Sequence, residues 1–143
     1  MASTWDVDAA LLAKLQADAQ LVAIATDGIW FGETKATALK WVQVTQIDHG
    51  DEQMFETVAY ETVLYQIVAI IQNTSAVPAI NAGVRIHAVL TGLTRTTFTP
   101  ANYVLMEVRR TTRIRYNERD KSNADLIWQH DGAQYELLLA PTG

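Results

Sequence analysis

Cysteine is absent from all 143 residues, which excludes a disulfide framework, a thiolate nucleophile and a sulfur-built zinc site. Histidine is scarce: His49, His87 and His130 stand far apart, and His87 has no second histidine one helical turn away. Three isolated histidines do not by themselves make a triad. The seven glycines are scattered, so neither GxGxxG nor GxxxxGK[ST] is present and no nucleotide cofactor is implied. No apolar run approaches the ~18 residues of a membrane span, and the opening MASTWDVDAALLAKL places acids where an export signal carries bases. A soluble, unexported protein is expected, in which the Asn73-Thr74-Ser75 sequon is accidental. These absences leave no motif for a cofactor, a metal or a catalytic constellation, while an enzyme or ligand-binding domain of other chemistry stays open on the residues alone.

Half the residues are apolar, and a chain of this length buries roughly 70% of its unfolded surface in one core, so residues 1–143 are expected to form one domain. The net charge of −5 is unevenly spread. Residues 1–61 carry ten acids against three lysines, whereas Arg109 to Lys121 holds six of the eleven basic residues and only two acids. Such a stretch either grips something negative or pairs with the chain's own acids. The asymmetry favours contact between unlike surfaces over adhesion to bulk nucleic acid.

Val7, Leu11, Leu12, Leu15, Ala19 and Val22 recur at helical spacing, which predicts an amphipathic helix over about 8–24, capped by Asp6 or Asp8 and ended by Asp27-Gly28. A short strand at Ile29–Phe31 and a strand from Lys40 to Ile47 follow, closed by a turn at His49-Gly50-Asp51-Glu52. Between Val63 and Ile71 both alternating faces are apolar, which predicts a strand covered on both sides. Ser75, Pro78 and Gly92 bracket a second helix. Residues 103–116 alternate, with Val104, Met106, Val108, Ile114 and Tyr116 on one face and Glu107, Arg109, Thr111, Arg113 and Arg115 on the other. Arg110 breaks this pattern, so a bulge at Arg110–Thr112 turns it outward, or it pairs inside a subunit contact; the bulge is the preferred reading. Asp131-Gly132 is the best hairpin signal. The sum is an α+β domain with a largely antiparallel sheet and two main helices on one side.

His49 with Asp48, Asp51 and Glu52 has the raw material of acid–base or metal chemistry, but a polar turn is the ordinary reading. For His87 the ordinary place is a helix at the core boundary, and for His130 a cross-strand hydrogen bond. Trp5, Trp30, Trp41 and Trp128 read as core or interface anchors before they read as stacking platforms. A nucleic-acid-binding module using the Arg109–Lys121 strand is the competing function, weakened because Tyr116 falls on the opposite face from Arg113 and Arg115.

Four stretches, ALLAKLQADAQLVAIATDGIWFG at 10–32, RIHAVLTG at 85–92, RIRYNERD at 113–120 and LIWQHDGAQYELLL at 126–139, together resemble the tail-completion or tail-terminator proteins of long-tailed phages and tail-like particles. The resemblance spans nearly the whole chain. It implies an α+β fold that closes as a homohexameric ring, a structural role capping the tail tube and joining it to the head connector, and no active site. Its implied partners are its own copies, the tube protein and the connector protein, with DNA only in transit and no membrane. Its place would be the virion tail or neck, and the host cytoplasm during assembly. A channel densely lined with arginine would hold passing DNA, because each arginine–phosphate contact adds binding. Arg109, Arg113, Arg115, Arg119 and Lys121 are therefore expected at a subunit or tube interface, facing acids such as Asp48, Asp51, Glu52 or Glu56, with a neutral or acidic lumen.

Overall fold

Long runs of β-branched and aromatic residues build most of this molecule. A computed structural model describes residues 4–32, 37–54 and 57–142. In chain order its elements are α1 Thr4–Gln16, α2 Ala19–Ile24, β1 Ile29–Phe31, β2 Lys40–Met54, β3 Thr57–Gln72, α3 Val77–Thr91, β4 Tyr103–Arg119 and β5 Ile127–Pro141. The strands form one sheet in the order β1-β2-β3-β5-β4. Only β1 and β2 run parallel; the other neighbours are antiparallel.

The architecture is α+β, with three helices where two were expected. The predicted helix over 8–24 is interrupted at Ala17-Asp18, because the Asp18 carboxylate accepts the Leu21 N–H at 2.9 Å and so starts a new helix. That carboxylate also receives Arg85 of α3, from Nη2 at 2.7 Å and Nε at 3.2 Å, which ties α2 to α3. Neither Asp6 nor Asp8 precedes α1, which already begins at Thr4. Asp8 is instead buried in the core, where its carboxylate accepts the Tyr65 hydroxyl. Burial pushes the Asp8 carboxyl up, opposed by that hydrogen bond and by nearby His49.

One core gathers Val7, Leu11 and Leu15 of α1, Leu21 of α2, Ala79, Ala82, Ile86 and Leu90 of α3, and Val63, Tyr65, Ile67, Ala69 and Ile71 of β3. These β3 residues are all odd-numbered, so strand alternation turns Leu64, Gln66, Val68 and Ile70 to the other face. That face carries no helix among the described residues. Gln66, Val68 and Ile70 instead line an open concavity of about 250 Å³ with Gln43, Thr45, Ile114, Tyr116 and His130. The expected cover on both sides of β3 is complete only on the odd-numbered face; on the other, Val68 is buried while Leu64, Gln66 and Ile70 are half-buried.

Both expected tight turns are strand instead. β2 continues through His49–Glu52 to Met54, paired with β3 as far as Met54↔Thr57, and takes up the polar stretch as register shifts between Gln46 and Asp48 and between Glu52 and Gln53. β5 likewise runs unbroken through Asp131-Gly132, paired with β3 on one side and β4 on the other. Ladder pairing on both sides overrides the local turn preference. The glycine serves close approach: a Cβ on Gly132 would lie 2.0 Å from the Ile67 carbonyl oxygen and 2.7 Å from Val68 Cα.

Gly132→Ala therefore forces β3 and β5 apart, and a loss of about 3 kcal/mol is expected in chemical denaturation, near the upper end of overpacking costs. Asp18→Ala removes both the α2 cap and the Arg85 pair and should cost about 1–2 kcal/mol at neutral pH. The Asp18 carboxyl is held below its ordinary 3.8, first by Arg85 and then by the Leu21 N–H. A depressed carboxyl stabilises above its unfolded pKa and stops doing so as pH falls through the folded value. The gap between wild type and Asp18→Ala should thus narrow below pH 3.8; a constant gap would remove the charge contribution from this account.

Candidate interface on the basic edge strand

β4 ends the sheet, paired with β5 from Tyr103↔Pro141 to Arg119↔Ile127. No strand lies on its outer side among the described residues. From Met106 to Arg119 only Val108 and Ile114 are half-buried, and the rest are exposed. Thr, Arg, Ile and Tyr suit a strand of this kind, since charged side chains on an edge discourage indiscriminate pairing.

Register decides where the arginines point. Residues directly opposed in an antiparallel pair share a face. Arg110, Arg113 and Arg115 oppose Tyr135, Ala133 and Asp131 and so lie on the helix-bearing face, while Arg109, Ile114 and Tyr116 oppose Glu136, Gly132 and His130 on the helix-free face. The expected grouping of Arg109 with Arg113 and Arg115 is therefore wrong. An extra residue at Thr111, between Arg110 and Thr112, shifts the alternation by one. A bulge does lie at Arg110–Thr112, but it follows Arg110 and turns the later residues instead: Arg110 stays on the face of Val108, exposed at the sheet edge, where it reaches the Tyr135 hydroxyl. A second shift, between Leu105 and Glu107, leaves Leu105 buried and Met106 exposed, against the expected order. Tyr116 does face away from Arg113 and Arg115, stacked on His130 at 4.2 Å with the rings 12° from parallel.

Two basic residues are matched by acids of β5. Arg109 Nη2 lies 2.8 Å from Glu136 Oε1, both side chains well solvated, and a pair of this kind contributes about 0–1 kcal/mol. Arg115 Nε lies 2.5 Å from Asp131 Oδ2, and the Asp131 side chain is only 8% exposed. Burial pushes the Asp131 carboxyl up, and Arg115 opposes it. Arg119 donates to the Ala124 carbonyl at 2.7 Å. Lys121 is exposed in the next loop, held by Asp120, whose carboxyl drops to about 2 because Ser122, Trp128 and Asn123 donate to it. Arg113 has no ion pair or hydrogen bond among the described residues.

Beside these arginines the chain forms a concavity of about 150 Å³ whose lining includes His87, Arg110, Arg113, Arg115, Tyr135 and the Asp131 carboxylate that Arg115 pairs. His87 sits at the core boundary, as expected, with Nδ1 3.1 Å from the Tyr135 hydroxyl. Its pKa is lowered, first by burial and then by Arg110 and Arg113. A neutral imidazole beside guanidinium groups suits anion recognition more than proton transfer. Asp131 was missed as the organiser of this place because Asp-Gly reads as a turn. The usable signal was the unbroken alternation Gln129, Asp131, Ala133, Tyr135, Leu137 and Leu139, all buried.

The acids lie at the opposite side of the sheet. Asp48 is exposed on β2, where its carboxylate accepts the His49 N–H at 2.9 Å. Asp51 and Glu52 occupy β2 opposite Glu61 and Tyr60, and Glu56 lies outside the described residues. Within one chain β3 and β5 separate the acidic and basic sets. His49 pairs across the hairpin with Glu61, Nε2 to Oε1 at 2.8 Å. His130 likewise reaches across strands to Glu118 Oε1 at 2.8 Å, the role expected of it although no turn is present. No group of three or more His, Asp or Glu side chains is placed for a metal among the described residues. Trp41 and Trp128 meet edge to face at 5.7 Å, and Trp5 meets Phe31 at 6.3 Å; neither pair adjoins the arginine concavity.

No protein-family model and no curated protein sequence matches the chain. In three dimensions it is similar to a chain from the virion of a native gene transfer agent particle. The TM-score is 0.73 at 16% identity, over 97% of this chain and 98% of that one. Agreement over nearly both whole chains shows that they share a fold. No helix among the described residues is long and apolar enough to cross a membrane.

The crowding of His87 by two guanidinium groups is directly measurable. Arg113→Gln should raise the His87 pKa in an NMR titration of the imidazole protons while leaving His49 unmoved. An unchanged His87 would place Arg113 away from α3.

Proposed function

We propose that this chain is a non-enzymatic virion component that closes into a hexameric ring, ends the tail tube and joins it to the head connector. The observation that carries this reading is the charge of the sheet's two ends: exposed Asp48 with Asp51 and Glu52 in sequence on β2, and Arg109 to Lys121 along β4 and just beyond it. A head-to-tail interface joins two different patches of one subunit and closes a ring when the rotation allows. Opposite charge on the two patches suits that geometry. The shared fold with a gene transfer agent virion chain supports the same reading.

On this reading the helix-free face lines the DNA channel. Gln43, Thr45 and Gln66 line the concavity there, and Gln134 Nε2 donates to Gln66 Oε1 at 3.3 Å. The arginine on that face, Arg109, is matched by Glu136. Arg110, Arg113 and Arg115 lie on the other face. A duplex in transit therefore meets amides, hydroxyls and, toward the β2 edge, the Asp48 carboxylate in place of a row of guanidinium groups, and the salt-dependent brake of arginine–phosphate contacts is avoided. The tube protein and the connector are the remaining partners, and the virion neck is the site of action.

Solution mass against salt tests the reading. The chain should appear near six times its 15.9 kDa mass, alone or on added tube, and high salt should weaken the assembly. Arg110→Glu combined with Arg113→Glu should weaken association at least roughly tenfold with the fold retained, since both side chains are exposed. Arg115 is unsuited to this test because Asp131 depends on it. A monomer under all conditions that binds DNA with a steep salt slope, lost in the same double variant, would replace the ring with a nucleic-acid-binding module.

A further inference from the structure

We propose that neighbouring copies join sheet edge to sheet edge, the part of β2 beyond Val44 pairing antiparallel with β4 of the next copy. The ring then carries one continuous sheet. This rests on the ring reading above and adds how its subunits are held.

Among the described residues both edges are open. β1 covers β2 only at Val42, Gln43 and Val44, and Gly32 adds one bond to the Val44 carbonyl. Beyond that point no described strand lies on the outer side of β2, and none lies outside β4. Each edge presents a row of backbone N–H and C=O groups, the usual template for pairing with another chain. Two long open edges on one sheet are a liability for a free subunit and an asset for an assembling one.

Strand direction follows from the topology. From β2 to β3, to β5, to β4, every step is antiparallel, so the two edge strands run in opposite directions. Rotation about a ring axis keeps each copy's strands in the same sense. Hence β2 of one copy meets β4 of the next antiparallel, which is the slightly more stable ladder per residue.

Charge selects the partner. Two β4 edges brought together would oppose bases to bases, whereas β4 beside β2 sets the basic run against a strand that carries Asp48, which opposes Leu64 and so shares the helix-free face with Arg109. A twofold pairing of like edges is thereby disfavoured, and the joining is head to tail. The bulges at Gln46/Asp48 and Arg110/Thr112 interrupt the regular ladder on both edges, which restricts pairing to few registers.

A cysteine-free chain allows a clean test in the full-length protein. Thr45→Cys and Gly50→Cys on β2 are each combined with Thr112→Cys, Ile114→Cys, Tyr116→Cys or Glu118→Cys on β4, and the assembled protein is mildly oxidised. Disulfides need Cβ atoms roughly 3.5–4.5 Å apart, so one pair per β2 position should bridge copies at least roughly tenfold more than either single-cysteine variant. The bridged species should form a reducible ladder ending at ring mass. The preferred β4 partner should move to a lower residue number when the β2 cysteine moves from 45 to 50, as antiparallel pairing requires. A ring of full mass with no bridge in any combination, a partner that moves upward, or bridging by single cysteines overturns the edge pairing and leaves the ring reading standing. A chain that stays monomeric, alone and with tube, overturns both.

Discussion

The basic edge depends on how one carboxylate is seated. Asp131 lies in the middle of β5, nearly buried, with α3 passing over it at Gly83 so closely that a Cβ there would fall 1.9 Å from Asp131 Oδ1. Glycine inside a helix costs about 1 kcal/mol against alanine, and here it admits the carboxylate beneath the helix. A buried carboxylate needs a partner; Arg115, reaching back from β4, supplies it. One contact thus sets the height of α3, joins β5 to the edge strand and turns Arg115 toward the helices.

The second consequence is the separation of charge. With Arg115 drawn to the helix side, Arg113 follows by alternation, the bulge at Thr111 leaves Arg110 on the same side, and the His87 pKa is lowered beside them. The other face keeps amides, hydroxyls and matched pairs such as Arg109 with Glu136 and His130 with Glu118. Among the described residues the sheet has helices on one face only, which gives it two chemically different surfaces and two open edges. On the proposed reading each has its own duty: the helix-free face for passage, the edges for joining.

The periodic parts of this fold were legible in the sequence. The central strand, the α3 helix bracketed by Pro78 and Gly92, and the arginine strand all follow from spacing and punctuation. Asp18 was legible as a residue type but not as a cap, because Leu15 to Val22 keeps helical spacing straight through it. His49–Glu52 and Asp131-Gly132 misled for one reason: their turn preference is local, while the β3 ladder that overrides it is built from residues distant in sequence. The site was half legible. Charge content named the strand, but faces depend on bulges, and a bulge is visible only as a residue that fails to fit the alternation. Arg110 was that residue.

The bulge at Thr111 carries more consequence than its single residue suggests. If β4 kept regular alternation past Arg110, a shift of one position would reverse every later side chain. Arg113 and Arg115 would come to the helix-free face, and Ile114 and Tyr116 would be turned toward α3. Asp131 would then lose its partner, leaving a nearly buried carboxylate uncompensated, which is among the costlier faults a fold can carry. On the proposed reading, the same shift would also place guanidinium groups on the face along which DNA passes. Stability of the subunit and freedom of passage therefore favour the same local geometry, so the bulge is held by the demands of the core before any partner arrives. An interface built on such a strand inherits its orientation from the fold instead of acquiring it on assembly, and less ordering entropy then opposes association.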